Sequence, residues 1–337
     1  MKKIFLALAA VAAITACSKS EAQYDDVQNE IAIAPVTKNI TKAMVNTNTF
    51  PEESFNVWAW YKQLPAETSI ADWQDNTTDN QWYIVEKTFA KKDGQSNWSG
   101  QSASYYWPKL GSLLFAGYYP AALEGNVSYE FDGAKNQMVF SGIYQSRVYD
   151  ESQKHEEDIM YFNMTEKSTA AGPVSVVFKH ALSWITVNVK KEANAPKIVI
   201  DEIKFTKVHD KGTGTVYNSA ANKEIVWVTE GNDDAVTVFA ENVELNTAGT
   251  KLLEPLFIPQ TIDGDLVITY TIYSSDTEYF TETYTKALAG LEVRGDAVDT
   301  WAPAKHYTYN ISIGTSEIFI KPEVATWDEV PVPVVVK

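Results

Sequence analysis

Val174-Ser175-Val176-Val177-Phe178-Lys179-His180-Ala181-Leu182-Ser183-Trp184-Ile185-Thr186-Val187-Asn188-Val189 decides how this sequence folds. Val176, Phe178 and His180 share one parity, whereas Ile185, Val187 and Val189 share the other. A period of two belongs to an extended strand, whose alternate side chains point to opposite faces. A single regular strand cannot send both sets into one core. The chain therefore either bulges or crosses from one sheet to another near Ala181 to Ser183.

The same alternation recurs on both sides of this stretch. Leu266, Ile268, Tyr270 and Ile272 alternate with Val267, Thr269 and Thr271, and Tyr307, Tyr309, Ile311 and Ile313 alternate with Thr308, Asn310, Ser312 and Gly314. These are strands with one dry and one wetter face. Phe55, Val57, Ala59 and Tyr61 share one face of another strand and Trp58 and Trp60 the other, so both faces of that strand are covered. Turn signals separate the runs at Lys92-Asp93-Gly94, Glu124-Gly125-Asn126, Asp132-Gly133, Gly212-Thr213-Gly214, Glu230-Gly231-Asn232 and Asp263-Gly264-Asp265. Helical periodicity is weak, with Glu67 to Gln74 the best short candidate. The pattern reads as all-β with little helix. Lys167-Ser168-Thr169-Ala170-Ala171-Gly172-Pro173 is small and polar and precedes the deciding strand, so it is the expected linker between a domain over residues 31–170 and another over 171–337.

Composition agrees with a folded, cored chain. Of 337 residues 45% are hydrophobic and 12% aromatic, ample for β cores. With 28 Lys+Arg against 44 Asp+Glu the formal charge is −16, which opposes any bulk attraction to nucleic acid. Cys17 is the single cysteine, so neither an intramolecular disulfide nor a zinc site built on several thiolates can form.

That cysteine has a place. Met1-Lys2-Lys3, an apolar run from Ile4 to Ala13 and Ile14-Thr15-Ala16-Cys17 form the basic, apolar and small-residue regions of a secretory signal. The apolar run is well short of the roughly 20 residues a membrane-spanning helix needs. The ending resembles a bacterial lipobox, in which the cysteine after the cleavage point is lipidated. Residues 1–17 are thus expected to be a lipoprotein signal ending at lipidated Cys17, and loss of Lys2 and Lys3 takes the charge from −16 to −18. Several acyl chains, at about 0.8 kcal/mol per buried CH₂, would hold the chain firmly to a membrane. The polar, acidic residues 18–30 read as a flexible tether.

No enzyme motif is present: no G-x-S-x-G, H-E-x-x-H or phosphate-binding loop, and no cysteine nucleophile once Cys17 is lipidated. No catalytic residue, metal or cofactor is expected. The histidines His155, His180, His209 and His306 are far apart. His155-Glu156-Glu157-Asp158 reads as an exposed acidic loop, with divalent-cation binding the alternative. His180, on the apolar parity with Phe178, reads as a hydrogen-bonded core histidine. Asp233-Asp234 and Asp263-Gly264-Asp265 lack the ligand ladder of a calcium loop and read as turns. Trp98, Tyr105, Tyr106, Trp107, Tyr118 and Tyr119 either stack on sugars or pack in the interior, and the large area each ring buries favours packing.

Taken together these segments resemble the fimbrillin family of Bacteroidetes cell-surface pilins. The resemblance rests on Val36-Thr37-Lys38 to Lys42-Ala43 ahead of Phe55-Asn56-Val57-Trp58-Ala59-Trp60, on Tyr106-Trp107-Pro108 running into Leu114-Phe115-Ala116-Gly117-Tyr118-Tyr119-Pro120, and on Asp158-Ile159-Met160-Tyr161-Phe162. Val176-Val177-Phe178-Lys179-His180-Ala181-Leu182-Ser183, Leu256-Phe257-Ile258-Pro259-Gln260 and Tyr307 to Trp327 continue it. It implies two tandem transthyretin-like β-sandwich domains with Greek-key-type sheets. It also implies a fimbrial stalk or tip subunit that supports adhesion, exported as an outer-membrane lipoprotein and joined to other subunits by β-strand addition. In that scheme a protease removes the first strand and a terminal strand of the next subunit fills the groove. A host protein or glycan would be a further partner.

Both strands have candidates. Ile31-Ala32-Ile33-Ala34 would be the removable strand, ahead of candidate processing sites Lys38 and Lys42. Val332, Val334 and Val336 share one parity of the tail Val330 to Lys337, the candidate donor strand; three buried valines contribute roughly 5 to 8 kcal/mol before ordering costs. The alternative is that the tail completes its own domain's sheet. The family pattern has cleavage after arginine, but the only arginines here are Arg147 and Arg294. Either a lysine serves, or the chain stays lipid-anchored as a basal subunit. A monomeric surface lipoprotein that binds glycans through aromatic platforms is the reading from another class.

Overall fold

A computed structural model describes residues 30–37, 54–62, 81–108, 111–123, 125–132, 135–144, 158–168, 172–217, 224–230, 236–239, 242–275, 279–293, 296–314 and 318–326. Twenty-five strands and no helix occur among them, so the chain is all-β. The helix candidate Glu67 to Gln74 lies outside the described residues. Strands are numbered in chain order.

The first half closes on itself. β1 (Ala32–Thr37), β2 (Phe55–Lys62), β3 (Gln81–Lys91), β4 (Trp98–Gly100), β5 (Ser112–Tyr119), β8 (Met160–Ser168) and β9 (Val174–His180) form a closed barrel in the order β1-β4-β3-β2-β5-β8-β9, with β9 returning to pair with β1. Its interior is aromatic. Phe55 meets Phe178 at 5.3 Å and Phe162 meets Phe178 at 5.0 Å, both steeply tilted as ring quadrupoles favour. Gly117 on β5 has no side chain because Phe162 lies over it: a Cβ there would sit 2.5 Å from that ring and 2.4 Å from the Asn56 carbonyl oxygen.

The outer face of β2 is covered as well. β6 (Asn126–Asp132), β7 (Lys135–Tyr144), β12 (Lys211–Tyr217) and β13 (Ile225–Glu230) form a sheet in the order β13-β12-β7-β6. Its Tyr129 packs on Trp60 at 4.3 Å and on Trp58 at 5.8 Å, and its Phe140 meets Tyr118 of β5 at 6.0 Å. Both faces of Phe55 to Trp60 are therefore buried, as the sequence indicates. The Gly212-Thr213-Gly214 turn signal is overturned: these residues lie inside β12. A Cβ on Gly214 would stand 2.7 Å from Ile225 Cδ1 and 3.0 Å from the Trp227 ring, so the glycines make room for cross-strand side chains rather than a bend.

The deciding stretch crosses between sheets. β9 ends at His180, the chain turns at Ala181-Leu182, and β10 (Ser183–Lys191) enters a second sheet parallel to β24 (Lys305–Ile313). That sheet also holds β16 (Thr250–Leu253), β17 (Leu256–Phe257) and β25 (Ile318–Thr326), which among the described residues pairs only with β24 and so forms an edge. Facing it across the second core are β11 (Lys197–Phe205), β14 (Val236–Phe239), β15 (Val243–Glu244), β19 (Asp265–Tyr273) and β20 (Tyr279–Ala287). Two ribbons, β18 (Gln260–Thr261) with β23 (Thr300–Trp301) and β21 (Glu292–Val293) with β22 (Asp296–Ala297), complete the set. Phe257 stacks on Trp301 at 5.0 Å, and the Trp301 indole N–H donates to the Tyr309 hydroxyl at 2.9 Å. The expected boundary at 170/171 falls just before β9, which pairs with β1 and β8 of the barrel; the first core also takes Val216, Ile225, Leu256 and Ile258 from later in the chain.

Candidate functional site

β1 holds the residues that the family resemblance implies are removable, and its sequence explains its seat. Ile31 and Ile33 share a parity and are 0% exposed, while Ala32 and Ala34 are half-buried on the other. The Ile31 amide donates to the Tyr105 carbonyl at 2.7 Å, and Glu30 bridges to Tyr106. Ala32 and Ile33 then pair antiparallel with Ser99 and Trp98 of β4. From Ile33 to Thr37 the strand runs parallel to β9, in register from Val174 to Phe178. Pro35, which has no N–H to give, stands past the last β4 pair, where the missing donor costs no ladder bond on that side.

Two groups hold the start of β1 from outside. The Lys92 ammonium lies 2.9 Å from the Glu30 carboxylate, and its hydrogen bond holds that carboxyl below the usual carboxylate range against the opposing effect of burial. The Tyr83 hydroxyl donates to the Tyr106 carbonyl. At the far end, where Thr37 pairs with Phe178, His180 Nδ1 lies 2.8 Å from Asp158 Oδ1 with both side chains buried. His180 is thus the hydrogen-bonded core histidine its parity indicates. Asp158 departs from the exposed loop expected of it: its carboxylate faces inward, while 155–157 lie outside the described residues.

The seat of β1 is therefore a slot walled by β4 and β9. Without β1 the barrel would be an open sheet whose two inner edges carry unpaired backbone groups over Val174, Val176 and Phe178. No local pattern in the sequence announces the neighbours β4 and β9, the Glu30–Lys92 pair or the Asp158 partner, because all are set by long-range pairing. Of the other named residues, Cys17, Lys38, Lys42, Val332, Val334 and Val336 lie outside the described residues, as does Asp233-Asp234. Asp263-Gly264-Asp265 forms the bend into β19, as its turn reading requires.

The aromatic set packs rather than forming a platform. Trp98, Trp107, Tyr118 and Tyr119 are buried and Tyr105 partly so, leaving Tyr106 as the exposed member. Among the described residues no group of three or more His, Cys, Asp or Glu side chains could hold a metal ion, and no helix is long and apolar enough to cross a membrane.

Comparison with known proteins follows the same lines. The family model described as fimbrillin-like matches residues 20–327. A fimbrial protein from Bacteroides vulgatus is similar in structure with a TM-score of 0.57 at 14% identity, over 89% of this chain and 100% of that one. Candidate cell adhesion proteins from Bacteroides uniformis and Bacteroides ovatus each give a TM-score of 0.51, at 13% and 12% identity, over 89% of this chain and 98% of theirs. No curated protein matches the sequence.

Proposed function

The chain belongs to the fimbrillin-like family, and on that premise we propose that it is a structural, non-enzymatic subunit of a cell-surface fimbrium that assembles by exchange of β1 for a strand of another subunit. It reaches the surface as an outer-membrane lipoprotein held through Cys17, and each of the two cores marks one domain. The single observation that supports exchange most is the position of β1, seated between two strands with Ile31 and Ile33 fully buried. A strand so placed leaves a groove of defined register when it goes.

Energetics explain why the exchange needs a cut. Burying Ile31 and Ile33 contributes about 3 to 6 kcal/mol at about 1.5 to 3 kcal/mol per side chain. That is close to what three valines of an incoming tail supply, so the swap of side chains is near balance. While β1 stays tethered its effective concentration is on the order of millimolar, and a free donor cannot compete. Cleavage in the sequence between β1 and β2, where Lys38 and Lys42 stand, turns that local competitor into a peptide that dilutes away. The donor is Val330 to Lys337, which follows the edge strand β25 by sequence.

The test is trimming. Protein cut after Lys42 and freed of β1 is expected to form SDS-resistant ladders at room temperature, and trimmed protein that remains monomeric with its tail intact contradicts the proposal.

A further inference from the structure

The outer face of the second sheet carries a feature that strand exchange does not use. β10 and β24 run parallel in register, so Asn188 stands beside Asn310, and its amide donates to Asn310 Oδ1 at 2.9 Å. β16 sets Lys251 beside Asn188, and β25 sets Lys321 beside Asn310. Four strands thus line up Lys251, Asn188, Asn310 and Lys321 in one cross-strand row, whose ends lie about 14 Å apart at roughly 4.8 Å per strand. In the next row Lys190 stands beside Ser312 and Ser312 beside Phe319, a ring 55% exposed. These residues line a groove of about 570 Å³.

Charge sets this groove apart. The chain carries −16, yet three lysines converge here. Glu254 lies 2.7 Å from Lys251, and Glu323 stands one row further along beside Thr308. Lys190 and Lys321 make no ion pair among the described residues. After burial, the charge of Lys251 is the second cause that depresses the His306 imidazole on this same face, to about 4.

We propose that this groove binds an acidic oligosaccharide. The Asn188–Asn310 amides and the Ser312 hydroxyl suit sugar hydroxyls, Phe319 offers a ring to the apolar face of a pyranose, and the separated lysines suit anionic groups on different sugars of one chain. An acidic peptide fits less well, because β10 and β24 at the centre of the groove are paired on both sides, and a strand added at the β25 edge would lie away from Lys190 on β10 and Lys251 on β16. The groove contains no residue of β1, so it can be tested on the intact, uncut protein.

Calorimetric titration with a chondroitin sulfate hexasaccharide, its desulfated form and a neutral dextran hexasaccharide separates the chemistries. Binding of at least one acidic hexasaccharide and none of the neutral one is expected; retention after desulfation identifies the carboxylate as the group read, and loss identifies the sulfate. Lys190→Ala and Lys321→Ala each should weaken binding about two- to fivefold, as should 0.3 M salt, since these are exposed charges. Phe319→Ala should weaken it without altering the salt dependence. Equal binding of the neutral sugar, absence of binding to both acidic ones, affinity unchanged in the lysine variants, or self-association lost in those variants without sugar binding would each overturn the proposal.

Discussion

Replacing Ile33 with Ala probes the seat of β1 directly. Ile33 is 0% exposed and occupies the position at which β1 passes from β4, opposite Trp98, to β9, opposite Val174. Truncating a buried isoleucine costs about 2 to 5 kcal/mol, the lost transfer energy plus the cavity. The two buried isoleucines hold β1 by about 3 to 6 kcal/mol, so the variant removes a large share of that hold. Local opening of β1 should therefore rise by about 30-fold or more, since each 1.4 kcal/mol is tenfold. Amide hydrogen exchange reads this at the Ile31 N–H, bonded to the Tyr105 carbonyl at 2.7 Å, and along β9. Ile311→Ala, an equivalent truncation in the second core, is the control: it should lower stability but leave Ile31 exchange alone. Unchanged exchange at Ile31 and β9 in the Ile33 variant, or equal acceleration by both variants, would refute the reasoning that β1 is held as a separable unit.

Other outcomes follow from the same structure. Gly117→Ala should destabilise the barrel by about 1 to 3 kcal/mol in urea unfolding, because its Cβ meets the Asn56 carbonyl, which cannot swing aside, as well as Phe162. The His306 imidazole, depressed to about 4 by burial and by Lys251, should stay neutral in an NMR titration until the pH nears that value. Because its folded pKa lies below the ordinary one near 6.5, its contribution is complete above that pH and is lost as the pH falls from there to about 4, a loss of about 3 kcal/mol in unfolding free energy that His306→Gln should not show. Lys92→Ala should cost only about 0.2 to 1 kcal/mol, since the pair with Glu30 is exposed, and the difference should vanish as acid protonates the depressed Glu30 carboxyl.

Parity made the crossing at Ala181-Leu182 legible, because a register change leaves a local signature: β9 and β10 bury opposite sets and enter different sheets. The double burial of Phe55 to Trp60 was legible for the same reason. The Gly212-Gly214 pair misled because a glycine that relieves a turn and one that makes room for Trp227 are identical in sequence, and only the cross-strand neighbour separates them. The pairing of β7 with β12 joins residues 135–144 to 211–217, a contact with no local mark in the sequence. At the site, the apolar alternation of Ile31 and Ile33 showed a strand. That it is inserted between two others could be read only through the family resemblance, since insertion is a property of β4 and β9.

Strand exchange is decided most directly by one comparison: trimmed subunits with and without Val330 to Lys337, run unheated on SDS gels. The account predicts a ladder from trimmed protein with its tail and monomer alone from trimmed protein without it. A ladder that persists after the tail is deleted, or monomer in both lanes, would contradict the claim that this tail fills the place β1 leaves.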